Sequence, residues 1–257
     1  MALLTPTGGL RYHFRAWLYR DTVWKPYVDA VGAWLLEWHP PERALLLVGP
    51  SGGYSLPAAL LTRFERITGV EPDPVARWIF RRRFSSALRA KGASLEWDRG
   101  DWFSPDASGF HIDRLARLVA RHPDLAVLFC NFLGQMPLLD RRERHTDSLA
   151  RWFDALPSAL GERSFASYHD RFSAPVRPRV AYEFRTPNAL DDEALGTEVY
   201  VSATKREDRV DIVSHGTARL FPNRPRAYFS WEIVRGFWHL IEGVRSENPR
   251  GDDGPRG

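Results

Sequence analysis

The chain of 257 residues is poor in cysteine and in long apolar runs, and both absences narrow its function. Its single cysteine, Cys130, excludes an internal disulfide and argues against a cysteine-rich zinc site, so we predict no bound metal. Every apolar run is too short to cross a membrane. The first fifteen residues lack the basic-then-apolar order of a secretory signal. We therefore expect a cytoplasmic protein with no membrane partner.

Lysine is scarce as well, because only three of the 36 basic residues are lysines. The arginines that supply the net charge of +4 are scattered among aspartate and glutamate. Their tightest runs, residues 81–83 and 141–145, are typical of solvated helix faces. No nucleic-acid recognition motif accompanies the charge, so we expect a small-molecule substrate and not a nucleic acid.

What the sequence does contain is a regular alternation of secondary-structure patterns. Residues 1–42 predict a helical extension, with helices over 10–21 and 24–38. The aromatic residues of these helices favour packing onto the following domain, and the alternative is that they form a lid over the substrate. From residue 43 to about 172, continuously apolar strands alternate with helices. This order predicts an α/β domain with a doubly wound, mostly parallel sheet and helices on both faces.

The pattern changes after residue 172. Residues 173–235 are rich in β-branched and aromatic residues and predict short antiparallel strands. The segments RAYFSWEIV and GFWHLIEGV predict an antiparallel closing pair, which ends the α/β domain of residues 43–245. Residues 246–257 have nothing to bury, and we expect them to be disordered.

Directly after the first predicted strand lies Gly49-Pro50-Ser51-Gly52-Gly53, which matches two kinds of site. The pattern G-x-S-x-G occurs at the nucleophilic serine of hydrolases, and a glycine-rich loop at this place also binds cofactors. The dinucleotide fingerprint lacks two of its three glycines here, and no phosphate-binding P-loop string occurs. Because residues before 43 predict helices and not the strands that precede a hydrolase elbow, we favour the cofactor loop.

Acidic residues follow the next two predicted strands. Glu71 comes 22 residues after Gly49, at the spacing where a carboxylate accepts hydrogen bonds from ribose hydroxyls. Asp101 follows the third strand and is either a turn residue or a ligand for a base. The adjacent Trp102 is either a core residue or a flank for a flat ring. Asn131, after the fourth strand, either caps its loop or recognises a ligand.

In this order of features the chain resembles the class I S-adenosylmethionine-dependent methyltransferases, which have a Rossmann-like fold. The resemblance covers roughly residues 43–243. It implies that the cofactor S-adenosylmethionine is held by the loop, by Glu71 at the ribose, and by the segments after strands three and four. The loop residues implied are Gly49, Ser51 and Gly53; Asp101 and Trp102 would contact adenine, and Asn131, Phe132 and Leu133 would close the site near the methyl group.

The function implied is methyl transfer to a small-molecule acceptor. His169, near the end of the fifth strand, is a candidate base for removing a proton from that acceptor. One departure matters, because Leu47 stands where the family has an acidic residue beside the cofactor's amino group. It motivates a first alternative, a non-catalytic binding module with this fold. The second alternative is a serine hydrolase that uses Ser51.

Overall fold

The computed structural model describes residues 9–122, 124–139, 145–180, 184–200 and 211–247. It begins with two helices, α1 (Leu10–Tyr19) and α2 (Lys25–Leu36), as predicted for the extension. Helix α2 carries Pro26 in its first turn, where a missing backbone donor has no effect on the helix. The predicted packing is also present, since the indole of Trp24 donates to the Ile233 carbonyl at 3.1 Å and that of Trp38 to the Ser246 carbonyl at 3.1 Å.

A parallel sheet follows, built from strands at the predicted places. They are β1 (Ala44–Val48), β2 (Arg66–Val70), β3 (Ser94–Asp98), β4 (Leu125–Cys130) and β5 (Phe165–Ala174). The helical segments between them are α3 (Ala58–Leu61), α4 (Pro74–Ala90), α5 (Ile112–Ala120), a 3-10 helix (Leu133–Leu139) and α6 (Thr146–Leu160). The two central strands, β1 and β4, are buried on both faces, which explains their continuously apolar sequences.

The C-terminal part adds an antiparallel extension to the sheet. It contains β6 (Phe184–Thr186), α7 (Asp192–Tyr200), β7 (Val213–Ser214), β8 (Arg226–Val234) and β9 (Phe237–Ser246). The closing pair β8–β9 is confirmed, and β9 pairs antiparallel with β5. The strand order is β3-β2-β1-β4-β5-β9-β8-β6, with β7 paired to β5. This is the doubly wound, mostly parallel sheet that the sequence predicted.

The prediction of short strands throughout 173–235 is wrong at α7. Asp192 and Glu193 lie in the first turn of this helix, where negative charge is stabilising. Leu195 and Val199, four residues apart, are both fully buried and provide one apolar face. The segment 201–210, which the same prediction covered, lies outside the described residues.

The predicted tail begins inside the fold. Ser246 is the last residue of β9, and the Glu247 carboxylate accepts a hydrogen bond from the His39 amide at 2.7 Å. Residues 248–257 lie outside the described part of the chain. Among the described residues, no helix has the length and apolar character needed to cross a membrane.

The register of the parallel pairs aligns the carboxyl ends of β1, β2 and β4. Val48 of β1 pairs with Val70 of β2 on one side and with Phe129 of β4 on the other. The chain therefore reverses its strand order between β1 and β4, and ligands of doubly wound sheets bind at the carboxyl ends of strands at such a point. We call this part of the sheet, with the residues that follow β1, β2, β4 and β5, the strand-end edge.

Candidate functional site

The loop after β1 has an alternating left-handed backbone. Gly49, Ser51 and Gly53 have φ angles of +63°, +50° and +67°. A Cβ at Gly53 would lie 2.5 Å from the Phe84 ring, and one at Gly49 would lie 2.9 Å from the Phe132 ring, so both positions require glycine. Ser51 adopts a conformation that costs a residue with a Cβ about 1 kcal/mol. A serine thus stands where the resemblance implies glycine, and its backbone is left-handed.

Glu71 lies directly beside this loop, at the end of β2. Its two carboxylate oxygens accept hydrogen bonds from the backbone amides of Ser51 at 2.9 Å and Asp73 at 3.0 Å. Burial raises the pKa of the Glu71 carboxyl to about 7, and the two amide hydrogen bonds only partly oppose that rise. The N-cap of α4 is the neighbouring Asp73, whose side chain accepts a hydrogen bond from the Val75 amide at 2.8 Å.

The residues after β3, which the resemblance implies at the adenine, have hydrogen-bond partners within the folded chain. Asp101 is exposed and accepts a hydrogen bond from the Ser104 amide at 3.1 Å, as a turn residue does. The Trp102 indole donates to Asp98 at 2.9 Å, and the guanidinium of Arg121 lies 4.9 Å from its ring. Both side chains are therefore engaged within their own loop.

The aromatic wall nearest the loop is instead built by Phe103 and Phe132. Their ring centroids are 4.7 Å apart, and Phe132 also packs on Gly49. The resemblance implies Trp102 at the adenine, but apolar character alone does not tell which of the adjacent aromatic residues Trp102 and Phe103 faces a ligand. Leu133 is fully buried in the core beneath α5 and α6.

Asn131 follows β4 with a left-handed backbone, φ +51°. The backbone amide of Asn131 donates to the Tyr168 carbonyl at 2.7 Å. The buried side-chain oxygen of Asn131 has no hydrogen-bond partner among the described residues. A buried acceptor without a partner is unfavourable, so this atom has capacity for a donor that a ligand brings. Gly134 allows the segment to approach β5, since a Cβ there would lie 2.6 Å from the Asp170 carbonyl oxygen.

His169 does not reach the strand-end edge. It is fully buried, with Nδ1 2.9 Å from Ser167 Oγ and Nε2 3.6 Å from a Glu242 oxygen. Burial lowers the pKa of His169 and favours the neutral ring. Glu242 also lies near the guanidinium groups of Arg226 and Arg171, at 3.0 and 3.4 Å. His169 thus belongs to a buried polar network, and its ring is not accessible to an acceptor.

The neighbouring residue, Asp170, takes the opposite face of β5 and was missed. Its carboxylate lies 2.7 Å from Nδ1 of His239 on β9. Although burial alone would raise the pKa of Asp170, His239, His215 and the Asn131 side chain together hold it below its usual value. Strand alternation could have identified Asp170 as the partner of Tyr168 on one face, but not which face borders the site.

Helix α1 covers the strand-end edge. His13 on α1 lies with Nδ1 2.7 Å from the Tyr54 hydroxyl and Nε2 3.3 Å from the Asp73 carboxylate. Burial, together with the negative charges of Asp170 and Glu71, raises the pKa of Tyr12. Tyr12 therefore lies within electrostatic reach of both carboxylates. The helical extension both packs on the domain and forms one wall of this region.

Two further observations concern other chemistries. Among the described residues, no group of three or more histidine, cysteine, aspartate or glutamate side chains is arranged to hold a metal ion. Within the same residues, the Ser51 hydroxyl has no hydrogen bond to a histidine, although Ser51 is the proposed nucleophile of the hydrolase alternative.

No protein-family model matches the chain, and no curated protein matches it. Similar solved structures include magnesium protoporphyrin IX methyltransferase from Synechocystis PCC 6803 with bound SAH, which is 14% identical over 85% of this chain and 82% of that chain, with a TM-score of 0.41. An S-adenosylmethionine-dependent methyltransferase from Clostridium acetobutylicum ATCC 824 is 11% identical over 95% and 82%, with a TM-score of 0.35.

A third similar structure is the methyltransferase domain of bacterial CtHen1-C. It is 14% identical over 56% of this chain and 64% of that chain, with a TM-score of 0.33. This chain thus spans less than two thirds of that domain. All three structures are named as methyltransferases, the class that the sequence pattern resembles.

Proposed function

We propose that the chain binds S-adenosylmethionine at the strand-end edge and transfers its methyl group to a small molecule. The observation that carries this proposal is the hydrogen bond between the Ser51 amide and Glu71, which joins a left-handed glycine loop to the acid that ends β2. Backbone of this kind accepts the close approach of a ligand, and a carboxylate beside it accepts hydrogen bonds from ribose hydroxyls.

The residues at this edge fit the cofactor in three respects. Each Glu71 oxygen accepts one amide in the structure and retains a lone pair for a ribose hydroxyl. Phe103 and Phe132 offer an aromatic wall for adenine. The unpartnered Asn131 oxygen suits the cofactor's ammonium group, which compensates for Leu47 at the position of the usual acid.

When bound, the cofactor supplies an electrophilic methyl group on its sulfonium, so the hard chemistry is its own. The chain's contribution is to hold an acceptor in line with that group, and proximity and orientation supply much of the rate in such a step. The Asn131 segment lies where it can do so, because Gly134 places it directly against β5.

Isothermal titration calorimetry with S-adenosylmethionine and S-adenosylhomocysteine tests the proposal. We expect both to bind the wild-type protein, and Glu71→Ala to weaken binding at least tenfold, or about 1.4 kcal/mol. Glu65→Ala is the matched control, since this carboxylate is 68% exposed and precedes β2, at the far end of the strand from Glu71. No binding by the wild-type protein at millimolar ligand would refute the proposal. Labelling of Ser51 by a fluorophosphonate probe would favour the hydrolase instead.

A further inference from the structure

We propose that His239, oriented by Asp170, is the base that removes a proton from the methyl acceptor, and that this acceptor is a phenol-type hydroxyl compound. The inference rests on the proposed function, because it concerns the same strand-end edge. It adds a catalytic residue and a substrate class that the sequence pattern does not specify. The two groups come from β9 and β5, which lie 69 residues apart along the chain at these positions.

The hydrogen bond between these residues determines which ring nitrogen is free. Asp170 Oδ1 lies 2.7 Å from His239 Nδ1, and Asp170 is 3% exposed. An ionised carboxylate only accepts hydrogen bonds, so in the neutral ring Nδ1 carries the proton and Nε2 carries the lone pair. Nε2 has no hydrogen-bond partner among the described residues, and the side chain keeps 13% exposure.

A second pair of residues holds the surroundings of the ring in place. Ser173 Oγ lies 2.7 Å from His215 Nε2 and 3.4 Å from His239 Nδ1. His215 Nδ1 lies 3.1 Å from the Gly134 carbonyl oxygen, to which it donates when protonated there. The imidazole of His239 is therefore tied through Ser173 and His215 to the segment that follows β4. A base must be held in one orientation to act within hydrogen-bond reach of its proton.

The pair lies beside the segment to which the resemblance assigns the methyl group. The Asn131 side chain contributes to the lowered pKa of the Asp170 carboxyl and so helps to keep it ionised. The negative charges of Asp170 and Glu71 also contribute to the raised pKa of Tyr12 on α1. His239, Asp170 and Asn131 therefore form one contiguous group at the strand-end edge, and His239 Nε2 is the basic nitrogen of this group whose lone pair has no partner among the described residues.

Aromatic rings surround His239 and indicate the acceptor's class. The ring centroids of Trp231 and Phe237 lie 5.7 and 5.8 Å from that of the imidazole. Trp231 is fixed by stacking on Tyr27 at 4.8 Å, while Phe237 is 37% exposed and lies at the protein surface. Rigid aromatic side chains favour a flat aromatic ligand. A base is required when that ligand reacts through a hydroxyl, because the neutral oxygen is a weak nucleophile.

The step balances without a further reactant. The acceptor's O–H bond breaks and its proton passes to His239 Nε2, while the oxygen forms a bond to the methyl carbon. The methyl–sulfur bond breaks with its electron pair left on sulfur, which becomes a neutral thioether. Solvent then takes the proton from His239, and Asp170 stabilises the transient imidazolium at 2.7 Å.

Nitrogen NMR of protein labelled at histidine tests the tautomer without any ligand. The His239 signal is assigned by its loss in His239→Gln. We expect the Nδ1-protonated form in the wild-type protein and a smaller population of it in Asp170→Ala, which lacks the acceptor. A wild-type ring protonated at Nε2 and not at Nδ1 would overturn the proposal, because no lone pair would then face an acceptor.

Binding of 4-nitrophenol in the presence of S-adenosylhomocysteine tests the base directly. At about pH 6, where the free phenol is mostly protonated, we expect His239 to stabilise the coloured phenolate in the wild-type protein. His239→Gln and Asp170→Ala should lose that signal, while His39→Gln, which alters an exposed histidine, should retain it. Absence of phenolate in the wild-type protein overturns the assignment.

Turnover separates this inference from the proposed function. With S-adenosylmethionine and catechol or 4-nitrophenol, His239→Gln should lower kcat by roughly 10²- to 10⁴-fold. Its affinity for S-adenosylhomocysteine should stay within about twofold of the wild-type value, since the proposed role of His239 is toward the acceptor and not toward the cofactor. Full turnover by His239→Gln refutes the base alone, whereas failure of the wild-type protein to bind the cofactor refutes the proposed function.

Discussion

The backbone amide of Ser51 donates a hydrogen bond of 2.9 Å to the Glu71 carboxylate, and this contact connects the ends of β1 and β2. It joins a left-handed loop residue to a buried acid whose pKa is raised by burial to about 7. A positive φ is uncommon for serine, and a pKa near 7 is well above the ordinary value of a glutamate carboxyl. The titration of Glu71 and the backbone of Ser51 can therefore both be tested.

The stability of the protein should depend on pH through Glu71. Because the folded-state pKa is raised from 4.5 to about 7, the folded protein binds the proton more tightly than the unfolded chain does. The contribution of Glu71 to stability is thus fully present below pH 4.5 and is lost as the pH rises through about 7. Urea unfolding should show a loss on the order of 2 kcal/mol across this window, and Glu71→Gln should reduce the slope. An identical slope in Glu71→Gln would assign the effect to another group.

Cofactor binding should show the opposite dependence on pH. A ribose hydroxyl donates to the ionised carboxylate, so binding should release a proton from Glu71 when the pH is below about 7. We expect affinity for S-adenosylhomocysteine to rise up to about tenfold for each pH unit below that value and to level off above it. Calorimetry in buffers of different ionisation enthalpy measures the released proton directly. Proton uptake on binding would contradict the assignment of Glu71 to the ribose.

Ser51→Gly should stabilise the fold. Glycine adopts the φ of +50° without the penalty of about 1–2 kcal/mol, but it also increases the entropy of the unfolded chain. The net gain in the free energy of unfolding should be about 0.5–1 kcal/mol. Ser51→Ala is the control, since it keeps the backbone penalty and removes only the hydroxyl. Equal stability of all three proteins would mean that the left-handed backbone stores no strain.

Two glycine-to-alanine substitutions should change stability in opposite directions. In Gly134→Ala the new Cβ would meet the backbone of Asp170 at 2.6 Å, and we expect a loss of about 1–3 kcal/mol. In Gly32→Ala the Cβ has nothing within 4 Å and lies inside α2, so alanine should add about 0.5–1 kcal/mol. Thermal and urea unfolding measure both. A neutral Gly134→Ala would show that the segment after β4 moves freely relative to β5.

The buried network around Glu242 should matter for stability and not for cofactor binding. Burial alone would raise the pKa of Glu242, but His169, Arg226 and Arg171 together lower it and keep the carboxylate ionised. Glu242→Gln leaves two buried guanidinium groups without that charge, and we expect a loss of about 3–5 kcal/mol. Because the folded-state pKa is lowered, this contribution is present above the carboxyl's ordinary pKa and is lost as the pH falls.

A surface carboxylate provides the control for Glu242. Glu65 lies 3.0 Å from Arg43, as Glu242 does from Arg226, but it is 68% exposed. Glu65→Gln should therefore cost less than about 1 kcal/mol in the free energy of unfolding. A similar small loss in Glu242→Gln would show that the network is hydrated.

The parts of the site that the sequence predicted are those encoded by local spacing. The apolar run of β1, the loop at Gly49 and the acid at Glu71 lie close together along the chain, and parallel strands bring successive carboxyl ends to one edge. The glycine-rich loop was predicted from its place after β1, and Gly49, Ser51 and Gly53 all adopt a left-handed backbone in the structure. Asp101 and Trp102, which the resemblance implies at the adenine, have Ser104 and Asp98 as partners in the structure without a ligand.

Tertiary structure alone decided what faces the site from β5 and β9. The ladder shifts register between Asp170 and Phe172, and pairing with β9 places Ser173 opposite His239. Which face of a strand borders a site depends on this long-range register. The sequence pattern alone therefore pointed to His169 and not to Asp170. The amino-acid sequence by itself determined the succession of strands along the chain and the glycine-rich loop after β1, because periodicity and turn chemistry are local. The pairing of Asp170 with His239 required the folded sheet, since it joins strands that only the antiparallel extension brings together.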